Sequence, residues 1–177
     1  MGNKLKQVYR TLDKIREKAP KISLENHPKI VVFSDLHIGN GGKNDDFLTN
    51  EPLFSYALKN YYYDQNYSLI LNGDIEELQR YSLEKITKRW PEIFALFKSF
   101  NDKGKFFKTA GNHDIDFLVK KHKNYNLPVT EALNLSHGED NIFVFHGHQA
   151  SNKYQEFNKW VGYSLKYVAN PLRIKNY

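Results

Sequence analysis

The stretch Lys105-Phe106-Phe107-Lys108-Thr109-Ala110-Gly111-Asn112-His113-Asp114 decides the fold. Its first half, Lys105 to Thr109, is a short aromatic and β-branched run of the kind that forms a buried strand. Its second half, Gly111 to Asp114, gathers a neutral oxygen ligand, an imidazole and a carboxylate where a helical pattern, Ile115 to Lys121, begins. A helix start in that place also favours the negative charge of a phosphate group.

Working outward, the same organisation recurs. Lys29 to Ser34 runs into Asp35-Leu36-His37, Ser68 to Asn72 into Gly73-Asp74, and Asn141 to Phe145 into His146-Gly147-His148. Helical patterns cover Pro52 to Tyr63, Leu83 to Trp90 and Pro91 to Phe100, with Pro91 suited to a first helical position because it lacks the N–H that an interior would use. Strands alternating with helices predict an α/β domain. Open α/β sheets place their sites at the C-terminal ends of strands, where all four clusters fall.

The flanks add two helices. Residues 3 to 18 carry Leu5, Val8, Tyr9, Leu12 and Ile15 at helical spacing with a basic opposite face, and Pro20 ends the pattern. After Ser151, an apolar and aromatic stripe from Tyr154 to Val168 predicts a last helix over 151–169. No linker or repeat divides the chain, so residues 1–177 read as one domain with its motif-bearing core at 29–149.

Bulk composition narrows the chemistry. With no cysteine, disulfides, thiolate metal sites and a cysteine nucleophile are excluded, and a bound metal must use imidazole, carboxylate, amide or water. That suits a cytoplasmic setting. The apolar runs are far short of the ~20 residues of a membrane span. A net charge of +6 favours phosphate-bearing partners, with nucleic acid and peripheral contact of the basic N-terminal helix with a membrane both open, although lysines spread along the chain describe a solvated surface equally well.

Taken singly, Asp35-Leu36-His37 or Gly73-Asp74 is only a turn signal. In order, the clusters resemble the calcineurin-like metallophosphoesterase family, whose motifs run Asp-x-His, Gly-Asp, Gly-Asn-His-Asp or -Glu, a later strand-end His, and Gly-His-x-His. The first four are present between Ile30 and about Gln149. The context Phe33 to Asn40, the acidic Asp45-Asp46-Phe47 in a glycine-rich loop, and Gly73 to Leu78 look like the branch that includes UDP-2,3-diacylglucosamine hydrolase. The resemblance implies a β-sandwich flanked by helices in αββα layers. It also implies a site of two divalent cations, manganese first with iron or zinc as alternatives, that hydrolyses a phosphomonoester, phosphodiester or pyrophosphate with a metal-activated water.

Carried over residue by residue, it implies that Asp35 and His37 bind one metal, Asp74 bridges both, and Asn112 and His146 bind the second. His113 is then the catalytic histidine and Asp114 the residue that orients it. Asn40, Arg80 and His148 are candidates for substrate contact. Gly147-His148-Gln149-Ala150 does not supply the last motif, and no histidine follows. The expectation is therefore an N-terminal fragment of a longer enzyme; a partner subunit completing the site, or a catalytically impaired binding or scaffold domain, are the alternatives.

Overall fold

The computed structural model describes residues 2–123 and 125–151. The chain forms two compact units, Ala19–His146 and Met1–Lys18 with Gly147–Tyr177. In the smaller unit, α1 (Asn3–Lys18) is amphipathic as its spacing predicts, with Val8 and Ile15 buried, and a short 3-10 turn spans His148–Ala150. The aromatic helix expected beyond Ser151 lies outside the described residues.

The larger unit holds two sheets flanked by helices. One is wholly parallel in the order β2 (Ile30–Phe33), β3 (Ser68–Asn72), β4 (Phe106–Thr109), with Val31 opposite Leu69 and Ile70 opposite Phe107. Parallel strands need crossovers. These are α2 (Glu51–Ala57), continued by a π-helical stretch over Leu58–Tyr63, and the pair α3 (Leu83–Arg89) and α4 (Pro91–Asp102). The second sheet runs β1 (Lys21–Ser23), β5 (Leu133–His137), β6 (Asp140–Val144), parallel then antiparallel. A short α5 (Asp116–Val119) replaces the longer helix expected over 115–121.

Alternation along β3 gives each face its own core. Leu69 and Leu71 turn toward the helices, where Phe54, Leu58, Ile93, Phe97 and Phe100 are buried with them. Ile70 turns the other way and joins Ile22, Leu133 and Leu135 of the second sheet. Residues 93, 97 and 100 of α4 are one turn or two apart, so a single stripe of that helix is buried, and Pro91 begins it as expected. The π-helical wind lets two consecutive tyrosines face the core: Tyr62 meets Phe33 at 5.8 Å between ring centroids, and Tyr63 meets Phe100 at 5.1 Å.

Candidate metal centre

Beyond Phe33, the chain carrying Asp35 and His37 continues alongside the segment that follows β3. The N–H groups of Asp35, His37 and Ile38 donate to the carbonyls of Gly73, Asp74 and Ile75 at 3.1, 3.0 and 2.7 Å. To run side by side while turning their side chains toward one point, Asp35, His37 and Asp74 adopt φ of 56°, 48° and 53°. The left-handed region costs a residue with a Cβ about 1–2 kcal/mol. Three such residues among the expected ligands mark a place where backbone comfort yields to side-chain placement.

Glycine is required at two positions here. A Cβ on Gly73, itself at φ 77°, would lie 2.5 Å from the His146 ring; one on Gly111 would lie 2.1 Å from Asp74 Oδ1 and 2.3 Å from the Asp74 nitrogen. The loops therefore interlock backbone against ligand. His113 N–H donates to Asp74 Oδ1 at 2.8 Å.

The side chains converge on the buried Asp74. The Nε2 atoms of His146, His37 and His113 stand 3.3, 3.9 and 4.0 Å from Asp74 Oδ2. Each ring is held from behind at Nδ1. His146 donates to the Asn72 carbonyl at 2.9 Å, while His37 and His113 both reach Glu77, at 3.2 Å and at 2.9 Å to its other oxygen. Because carbonyls and carboxylates only accept, the ring proton belongs on Nδ1 in all three, and Nε2 is left facing Asp74. Ligand atoms lie within 4.8 Å of one another in two groups, His37 with Asp74 and His113, and Asp35 with Asp74 and His146. Asp35 is exposed and is bonded by the Ser34 hydroxyl.

Charges follow the geometry. The Asp74 hydrogen bond pushes the His146 imidazole up to about 9, against burial and with help from the Asn72 carbonyl. Burial works to raise the Asp74 carboxyl, but its bonds to His146 and to the His113 N–H outweigh that and hold it below the usual carboxylate range.

Several sequence expectations change detail here. The donor atoms fall into one group with Asp35 and His146 and another with His37 and His113, Asp74 belonging to both. Asp114 does not touch the His113 ring: its buried carboxylate accepts the N–H groups of Gly111, Asp74 and Ile75 at 2.6, 3.3 and 3.0 Å. Glu77 takes the orienting place. Asn112 has an exposed side chain, and its carbonyl accepts from Gln79 at 3.0 Å. Asn40 caps its own turn through the Gly42 N–H at 3.1 Å, and exposed Arg80 lies 3.9 Å from Asp46. His148 belongs to the other compact unit. Asp45 staples the glycine-rich loop, accepting N–H bonds from Gly39, Gly41 and Phe47.

Two parallel strand ends, a shared buried carboxylate and imidazoles fixed at Nδ1 bring together donor atoms that could hold metal ions on an α/β frame. The sequence profile of the calcineurin-like phosphoesterases matches residues 28–172, and the chain belongs to that family. No curated protein and no solved structure gives a significant match.

Proposed function

We propose that the chain hydrolyses a phosphoester or pyrophosphate bond at a dinuclear centre in which Asp74 is the shared ligand. The observation that carries this reading is the pair of ligand groups that have Asp74 in common. Asp35 and His146 would hold one ion and His37 the other, with the Asn112 amide, next in sequence to His113 of the His37 group, as a further oxygen donor. When bound, two divalent ions supply positive charge for the phosphoryl oxygens and for the attacking water. The nitrogen and oxygen donor set and the lack of cysteine fit manganese, iron or zinc and a reducing, cytoplasmic setting. The Gly73 to Leu78 and Phe33 to Asn40 contexts support a place near the branch that includes UDP-2,3-diacylglucosamine hydrolase.

In this reading His113 handles the proton. Its Nδ1–H is held by Glu77, which fixes the ring plane and supports a second proton at Nε2. From there the proton passes to the leaving oxygen, and Glu77 stays a carboxylate throughout. His113 is 28% exposed at its side chain, enough for a substrate oxygen to approach, whereas Glu77 at 4% is sheltered from it.

The test is hydrolysis of an aryl phosphate monoester and diester by the 177-residue chain in manganese buffer, with and without chelator, alongside His113→Ala. Expected are chelator-sensitive turnover and a variant that keeps both ions while kcat falls by about 10²–10⁴. Absence of turnover by the unaltered chain refutes the function. Loss of one ion in the variant instead makes His113 a ligand, as its place in the His37 group would allow.

A further inference from the structure

Lys108 is the one buried lysine among the described residues, and its side chain has no solvent exposure. It lies on β4 on the same face as buried Phe106, two residues away, in a position that would ordinarily be apolar. Its ammonium is enclosed. Glu76, also fully buried, is its closest partner; Asp114 Oδ2 lies at 3.7 Å and the Tyr125 hydroxyl accepts at 3.1 Å. Above it sit the Phe117 ring, 4.2 Å away, and the Tyr125 ring at 5.1 Å.

Two of these partners lead directly to the metal loops. Asp114 ties the Gly73-Asp74-Ile75 segment to Gly111 through three backbone N–H groups. Glu76 stands between Ile75 and Glu77, its backbone paired with Ile38 in an isolated bridge. One ammonium therefore lies between the Asp114 carboxylate, which clamps both ligand loops, and the carboxyl of Glu76, beside the residue that orients His37 and His113. An apolar side chain of the same size would fill the space but leave the buried Glu76 and Asp114 carboxyl groups facing each other with no cation between them.

We propose that Lys108 is a positioning residue for the metal centre: through Asp114 and Glu76 it sets the relative placement of the Asp74 and His113 loops. This rests on the metallophosphoesterase reading for its consequence, but the placement itself has a metal-free signature. The amides of Asp74, Ile75 and Gly111 donate to Asp114, whereas those of Ser68 and Leu69 donate to the Lys29 and Lys105 carbonyls in the sheet. Merely global destabilisation accelerates hydrogen exchange in both sets alike; loss of positioning accelerates the first set alone.

The experiment is amide exchange by NMR on the 177-residue chain in chelator, for Lys108→Met and for Tyr125→Phe, which removes one hydroxyl from the cluster. In Lys108→Met the loop amides should exchange about tenfold faster relative to Ser68 and Leu69, and in Tyr125→Phe about threefold faster. The manganese dissociation constant should rise in the same order. An unchanged ratio between the two amide sets overturns the proposal. If Lys108→Met does not fold, the ratio in Tyr125→Phe decides alone. An unaltered chain that binds no manganese refutes the metal reading, while the exchange ratio still decides the role of Lys108.

Discussion

At the scale of single residues, the candidate centre sets one buried carboxylate, Asp74, among three imidazoles. In the metal-free protein, the His146 imidazole, pushed up to about 9, pairs with Asp74. A folded value above that of the unfolded chain means that this pair stabilises fully below about pH 6.5 and that its contribution disappears as pH rises through about 9. The depressed Asp74 carboxyl acts in the opposite direction, and its contribution is lost only in acid. Thermal midpoints in chelator should therefore fall between pH 6.5 and 9, and His146→Gln should flatten that slope; an unchanged slope in the variant removes His146 from the account. A cation competes for the same Nε2, so apparent manganese affinity should rise over the same interval.

At the scale of elements, legibility followed strand preference rather than burial. The strands β2, β3, β4 and β6 carry enough aromatic and β-branched residues to be read directly, and each predicted cluster sits at the end of its strand. The strand β5 escaped because Asn134, Ser136 and His137 have weak strand preference, although Leu133 and Leu135 alternate with them and are buried. The strand β1 is three residues long with only Ile22 buried, too little pattern to read. Glu77 was visible in the sequence but not assigned, since nothing local says that an acidic residue three positions after Asp74 will reach two histidines. Lys108 carried a usable signal: a lysine on the same strand face as Phe106 needs a buried partner. Helix α4 anchors the helical side of the parallel sheet through Phe97, which is fully buried and lies 6.4 Å from Phe54 and 5.9 Å from Phe106 between ring centroids. Phe97→Ala should lower unfolding free energy by about 3–5 kcal/mol in a denaturant titration. A cost under about 1 kcal/mol would mean that this core relaxes around the gap.

At the scale of the molecule, two sheets present their strand ends to one point, and one carboxylate there serves both ligand groups. No helix among the described residues is long and apolar enough to cross a membrane. The family's last motif has no counterpart in the chain, so in the proposed function the four motifs present must themselves assemble a centre for two ions. Manganese content per chain after dialysis, measured side by side for the unaltered protein and Asp74→Ala, tests this most directly. Two ions in the unaltered protein and none or one in the variant is the expected result; no bound manganese in the unaltered protein, or equal content in both, would contradict it.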